Sequence, residues 1–427
     1  MAEEYIPVSS DDAPGISLPR TPIRNEMLFL ISGAAASGLG HLGSATMPFQ
    51  IDVAINRFGL SVSQAGIFGF VEILALSVTM FVGPTYGKIF SSNLLSLTGG
   101  VVLAVSALMA DLVRTGQLYA LYAIAACLGV GAGIIFCALM KAVSSRHDIE
   151  RNMSFINGVG LLINALIIFF SSHMAGGHSG NGNRIFLMIA ATALIAAPFM
   201  MIFMSEGPHG RHDPTFQDSH SASPIPISGA VVLFLLWAGY SIGSSAMWSF
   251  SARIARHINI PTESMANLSS LGIFVGIFAS LANAYGTRFI SSRMLLFIGL
   301  TGTALSCLGC TLAPNVWAFG LGICVYWTFL MTASCYLFSM AAKMDRTGAL
   351  GMWGASIDRI GHAFGTYTGG LVIATYPPAV LGGFSFFVCI APVILWAVCT
   401  PHKPWTSMRR GNPDPQATFG VIRPPTP

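Results

Sequence analysis

The sequence predicts an all-α membrane protein with twelve transmembrane helices arranged as two six-helix pseudo-repeats. Three observations predict it. Charged residues make up 9% of the 427 residues and hydrophobic ones 53%, whereas a soluble domain carries about 25% charge. About a dozen apolar stretches follow one another along the chain; one of about 20 residues crosses a hydrocarbon core of about 30 Å, and only a helix satisfies its own backbone polar groups in lipid. Lastly, short motifs return at an offset of about 200 residues.

Taken in order, residues 1–25 are polar and contain Glu3, Glu4, Asp11 and Asp12. They read as a disordered cytoplasmic tail with no secretory leader. The predicted spans are 27–50, 63–85, 94–112, 117–140, 153–172 and 185–204, then 228–251, 264–284, 294–313, 316–341, 348–374 and 379–399. Ser61 and Gln64 have the spacing of a capping box at the start of the second span. The longest interruption, 205–227, is rich in Ser, His, Pro and Asp and reads as a cytoplasmic linker between an N-terminal half, 26–204, and a C-terminal half, 228–400. Residues 401–427 form a second cytoplasmic tail.

With both termini cytoplasmic, fifteen Lys and Arg fall on the cytoplasmic side and five on the outer side. That bias sets the expected orientation in a cell membrane. A net charge of +4 argues against a nucleic-acid partner. No GxxxxGK[ST] motif occurs, so ATP hydrolysis by this chain is not expected. Gly38-Leu39-Gly40-His41-Leu42-Gly43 matches GxGxxG but sits inside an apolar span with no preceding strand, which excludes a dinucleotide site. All eight Cys fall in apolar spans, so the Cys307–Cys310 pair reads as packing, and no metal or other cofactor is expected.

The internal correspondence is specific. Gly43-Ser44-Ala45-Thr46-Met47 faces Gly243-Ser244-Ser245-Ala246-Met247, Tyr86-Gly87 faces Tyr285-Gly286, and Ser91-Ser92-Asn93 faces Ser291-Ser292-Arg293. With Gly286-Thr287-Arg288-Phe289-Ile290-Ser291-Ser292-Arg293 after span eight and Gly129-Val130-Gly131-Ala132-Gly133 in span four, the chain resembles the major facilitator superfamily over about residues 26–400. The resemblance implies two six-helix halves that rock about a central site. Spans one, seven and ten line the cavity in that family, and helices two and eleven pack across the interface.

Charges at membrane depth are costly, about 2.5–3.5 kcal/mol on insertion scales, and usually have a partner or a function. Glu72 lies mid-span two; Asp358, Arg359 and His362 lie mid-span eleven. The resemblance therefore implies a Glu72–Arg359 ion pair across the interface, static or opening as the halves rock. Asp358 and His362 share a helix face and can trade a proton. These four are the expected proton-coupling and gating residues. His41, beside three glycines of span one, is a candidate for substrate or proton. Gln50, Asp52, Asn56 and Arg57 read as mouth residues near the outer surface.

All seven Trp lie in the second half. Trp317 and Trp405 fit an interfacial belt, whereas Trp237, Tyr240, Trp248, Tyr326 and Trp327 lie deeper, as Tyr336 and Trp353 do. With Arg359 and His41, the first five are the expected substrate contacts. Gly361, Gly365 and Gly369 repeat every four residues and predict a close helix approach.

The expected function is secondary active transport of a small organic molecule by a monomer in the lipid bilayer, driven by a proton gradient and not enzymatic. Arg359 and the aromatics favour an organic or aromatic anion taken up by symport, and span five lacks the Gly-Pro signature of drug antiporters. An exporter of apolar or cationic compounds by proton antiport, and a non-transporting receptor of the same fold, are the alternatives.

Overall fold

The computed structural model describes residues 23–87, 89–144, 149–173, 184–204, 227–286, 289–344 and 349–399. The two tails and most of the 205–227 linker lie outside the described residues. Thirteen helices follow in order: α1 (Ile23–Asn56), α2 (Val62–Gly87), α3 (Ser92–Leu112), α4 (Leu118–Ser144), α5 (Ile149–His173), α6 (Ile185–Phe203), α7 (Ile227–Ser249), α8 (Ser251–His257), α9 (Thr262–Gly286), α10 (Ser292–Thr311), α11 (Val316–Met344), α12 (Ala349–Thr375) and α13 (Pro378–Cys399). Each of the twelve apolar stretches forms a helix, and the short α8 is additional. Among the described residues, ten helices are long and apolar enough to cross a membrane by length and composition. α12, which carries Asp358, Arg359 and His362, is not among them.

The capping box predicted at the start of α2 is present. Ser61 N–H donates to Gln64 Oε1 at 2.9 Å and Gln64 N–H donates to Ser61 Oγ at 3.2 Å, each satisfying a donor that a helix start leaves open.

The helices sort into two groups. α1–α6 pack mainly on one another, as do α7–α13; the main contacts between the groups are α2 with α12 and α5 with α9, with a smaller set from α1 to α7 and α8. The groups share local geometry 200 residues apart. Ser91 caps α3 by accepting from Leu94 N–H, and Ser291 caps α10 by accepting from Met294 N–H, both at 3.4 Å. Gly59 and Asn259 both take a left-handed φ, 73° and 59°, after α1 and α8, where a helix end turns out of register.

Seams between helices are set by small residues. Gly361, Gly365 and Gly369 of α12 lie against Ser241, Ser245, Ile242 and Ala246 of α7, so the close approach predicted from their spacing is made to α7. A Cβ added at Gly370 would lie 3.0 Å from the Gly66 Cα of α2.

Contacts between the groups concentrate toward the end where α1 turns into α2. Phe70 of α2 packs on Phe364 and Tyr367 of α12, with ring centroids 5.4 and 5.6 Å apart. Ser270 of α9 donates to the Ala165 carbonyl of α5 at 2.9 Å, and His173 lies 3.4 Å from Glu263. Toward the other end of the same seam Phe81 of α2 and Trp353 of α12 are 72% and 58% exposed. Exposure along the α2–α12 seam thus rises from the α1–α2 end toward the opposite end.

Candidate functional site

α1 places Ser37, His41 and Ser44 on one face, spaced by four and three residues. Ser44 is the point where three helices meet. Its hydroxyl donates to the His41 carbonyl at 3.0 Å and accepts from Arg359 Nη1 of α12 at 3.0 Å. Its backbone carbonyl accepts from the Trp248 indole of α7 at 3.0 Å. Both bonds cross between the two helix groups.

Around Arg359, α12 holds the other charged groups. Asp358 accepts from the Ser241 hydroxyl of α7 at 2.5 Å; the glycine seam of α12 makes this reach possible. Asp358 lies 3.9 Å from Arg359 Nε and 3.7 Å from His362 Nδ1. The first distance is beyond hydrogen-bond range, so Asp358 balances the Arg359 charge without occupying its N–H groups. The three side chains are part-buried, between 12 and 18% exposed.

The two histidines have the same local arrangement. His41 Nδ1 lies 2.9 Å from the Ser37 carbonyl, and His362 Nδ1 lies 2.9 Å from the Asp358 carbonyl. A carbonyl only accepts, so each Nδ1 carries the hydrogen and each neutral ring keeps an accepting Nε2. His41 also packs edge-on against Phe136 of α4, 5.2 Å between centroids, and is within electrostatic reach of Arg359, Asp358 and His362. Thus α1 and α12 bring His41, Asp358, Arg359 and His362 together.

Glu72 does not join them. The Glu72–Arg359 pair implied by the resemblance is not formed: Arg359 bonds Ser44, and the Glu72 carboxyl is buried inside the first group, accepting from Gln50 Nε2 at 3.3 Å and lying against Gly43 of α1. The cause is the angular position of Glu72 on α2. Gly66, Gly69 and Phe70 form the face toward α12, whereas the Glu72 side chain points to Gly43 and Gln50 of α1, and Gly129 of α4 fits against its backbone carbonyl.

The aromatic residues are packed rather than open. Trp248 stacks on Tyr326 with centroids 5.7 Å apart and planes 10° apart, and meets Trp327 edge-on at 5.1 Å. Tyr326 donates to the Ser244 carbonyl and Tyr240 to the Leu330 carbonyl. Trp237 is fully buried against Gly354 and Phe338. Trp248 alone of the five bonds across the seam to α1, and none is more than 5% exposed.

The expected mouth residues divide. Gln50 is fully buried, because α1 continues to Asn56 rather than ending near 50. Asp52 pairs with Arg256 of α8, which also donates to Asn56 Oδ1 at 3.0 Å. Arg57 instead bonds Asp111 at the end of α3, at 2.5 Å. Sequence reasoning missed Ser44 and Arg256 as cross-seam residues and Ser241 as the partner of Asp358 within the second group; the Ser37–His41–Ser44 spacing was the available signal for the first.

No protein-family model matches the chain, and no curated protein matches it. Solved structures do. A D-xylose-proton symporter superposes with a TM-score of 0.69 at 14% identity, covering 88% of this chain and 97% of that one. The nucleoside transporter NupG gives 0.66 at 10% identity, covering 86% and 100%. A bacterial homologue of the human lysosomal transporter Spinster, in an inward-facing and unoccupied conformation, gives 0.64 at 13%, covering 88% and 96%. The chain has the major facilitator fold. Within that fold the Ser44–Arg359–Trp248 junction lies at the seam between the two helix groups. Among the described residues, no group of three or more His, Cys, Asp or Glu could hold a metal ion.

Proposed function

We propose that the chain is a secondary active transporter that carries a small organic anion together with protons, by alternating access between two six-helix repeats related by duplication. The observation that carries this reading is the part-buried Arg359, held at the seam by one hydrogen bond to Ser44 and flanked by Asp358, His362 and His41. A guanidinium has five N–H donors in a fixed fork. One is used by Ser44, which leaves the fork available for a carboxylate or a similar anion entering the cleft. The accepting Nε2 atoms of His41 and His362 suit substrate hydroxyls or a proton.

The matched helix ends at Gly59 and Asn259 and the matched caps at Ser91 and Ser291 favour the duplication and twelve spans, with α8 as the outer end of the seventh. With the Lys and Arg bias read as orientation, the closed α1–α2 end is external and the open end cytoplasmic, an inward-open state. A part-buried site holding a carboxylate, a guanidinium and two imidazoles reorients at least cost when substrate and proton together neutralise it. Glu72 is the proton carrier of the first half in this reading. The name of the D-xylose-proton symporter is compatible with proton coupling.

The test is transport by the purified protein in proteoliposomes. Ligands are first found by thermal-shift screening against small organic anions, then assayed for counterflow and for substrate-dependent alkalinisation of the outside. Counterflow with alkalinisation supports anion–proton symport. Acidification on uptake indicates antiport, and binding with no counterflow indicates a receptor; either result replaces this reading.

A further inference from the structure

Gln50 and Glu72 form a half-satisfied pair in the core of the first helix group. Gln50 is fully buried and Glu72 is 4% exposed. The Gln50 amide donates both hydrogens, to Thr46 Oγ1 at 3.0 Å and to Glu72 Oε1 at 3.3 Å. Two oxygens remain without any donor, Gln50 Oε1 and Glu72 Oε2. Turning the amide over does not help, because its oxygen would then face Thr46 Oγ1, whose own proton goes to the Leu42 carbonyl at 2.7 Å.

An ionised carboxylate with a single neutral donor is costly in such a place, because a buried charge needs a partner. Among the described residues, Glu72 forms no ion pair. Residues that meet it from the packed elements include Gly43 and Gln50 of α1 and Gly129 of α4, all uncharged. The charged groups of α12, which also packs on α2, are Asp358, Arg359 and His362; the first is bonded to Ser241 and the second to Ser44. His41 of α1 is tied to Ser37.

We propose that Glu72 is a neutral carboxylic acid in this conformation, its proton on Oε2 donated to Gln50 Oε1, so that amide and acid close a ring of two hydrogen bonds. One proton satisfies both orphaned oxygens. Binding forms the Oε2–H bond and cancels the carboxylate charge; release breaks that bond and returns the proton to water when the seam opens. Gln50 is the positioning residue that makes the site fit a proton. The consequence for transport rests on the reading of Glu72 as the proton carrier, but the protonated acid itself does not.

Difference infrared spectroscopy in lipid at neutral pH tests this. Wild type is expected to show a protonated-carboxyl C=O band that shifts in heavy water and is missing in Glu72→Gln, a variant that replaces the acid–amide ring with an amide–amide ring and keeps the fold. In Gln50→Leu the band moves to higher frequency as the carbonyl loses its donor; Gln50→Asn, too short to close the ring, gives the same shift should the leucine variant not fold. Absence of any acid band attributable to Glu72 overturns the proposal. So does a band that disappears when sodium replaces potassium, which assigns the oxygens to a metal cation, or one unmoved in both Gln50 variants. Proton-coupled transport persisting in Glu72→Gln removes Glu72 from the coupling reaction without altering the infrared result, so the two readings fail separately.

Discussion

Arg359 and Ser44 are joined by a 3.0 Å hydrogen bond from α12 to α1, across the seam between the two helix groups. Ser44 also receives Trp248 of α7 on its backbone carbonyl. One residue of α1 therefore holds two helices of the other group, by two separable bonds. The seryl hydroxyl can be removed by substitution, whereas the carbonyl remains with any residue.

Ser44→Ala should consequently weaken the closed α1–α2 end without abolishing it. A hydrogen bond to a charged group contributes about 1.5–3 kcal/mol, less where water reaches it. The expected effect is a shift of up to about tenfold toward a state open at the α1–α2 end, about 1.4 kcal/mol. Spin-label distances across the α1–α7 end measure it. An unchanged distance distribution would show that the hydroxyl contact is incidental and the Trp248 bond sufficient.

Arg359→Lys separates charge from fork. Lysine keeps the positive charge but presents a single ammonium in place of a planar set of donors. If the guanidinium receives a carboxylate, the loss of paired charge-assisted bonds should weaken binding by about 10- to 100-fold, from about 1.5–3 kcal/mol. Titration calorimetry of the best ligand from the screen gives the ratio. Equal affinity in Lys and Arg proteins would place the ligand elsewhere in the cleft.

A second contact closes the same end. Asp52 of α1 pairs with Arg256 of α8, and Arg256 also reaches Asn56, while the neighbouring Arg57 anchors α1 to Asp111 within the first group. The Arg256 side chain is 38% exposed, so screening limits the pair to about 0.2–1 kcal/mol. Asp52→Asn should raise the population open at the α1–α2 end by about 1.4- to fivefold and speed modification of cysteines introduced nearby, most visibly at low salt. Arg57→Gln should leave that opening equilibrium unchanged, since its partner belongs to the same group.

The helices were legible because the bilayer imposes one dominant signal, apolar length, that survives without tertiary context. Their ends were less so. Asp52 and Asn56 look like loop residues in sequence, yet α1 carries them because Asn56 bonds the Asp52 carbonyl at 2.7 Å and Arg256 satisfies both side chains. The cluster of Asp358, Arg359 and His362 was visible as charge at depth, whereas its nearness to His41 was not. The direction of Glu72 was not visible. Which face of α2 meets α12 is decided by Gly66 and Gly69, and which meets α4 is decided by Gly129; these choices depend on distant small residues. The mutual packing of the aromatic residues was not visible either, since Trp248 of α7 meets Tyr326 and Trp327 of α11, from a distant part of the chain.

The glycine seam between α7 and α12 gives a prediction with an internal control. A Cβ at Gly365 would collide with the Ser245 hydroxyl and the Ile242 carbonyl of α7, and the carbonyl belongs to the helix backbone and cannot turn aside. At Gly351, on the same helix, a Cβ would meet nothing within 4 Å. Alanine normally favours a helix over glycine by roughly 0.5–1 kcal/mol. Gly351→Ala should therefore be neutral or stabilising, while Gly365→Ala forces α7 outward at a cost of about 1–3 kcal/mol. That displacement also draws Ser241 from Asp358, now 2.5 Å apart, so ligand binding should fall in Gly365→Ala and hold in Gly351→Ala. Thermal unfolding in detergent, with and without ligand, reads both effects. Equal melting of the two variants would mean that α7 and α12 are not packed this closely.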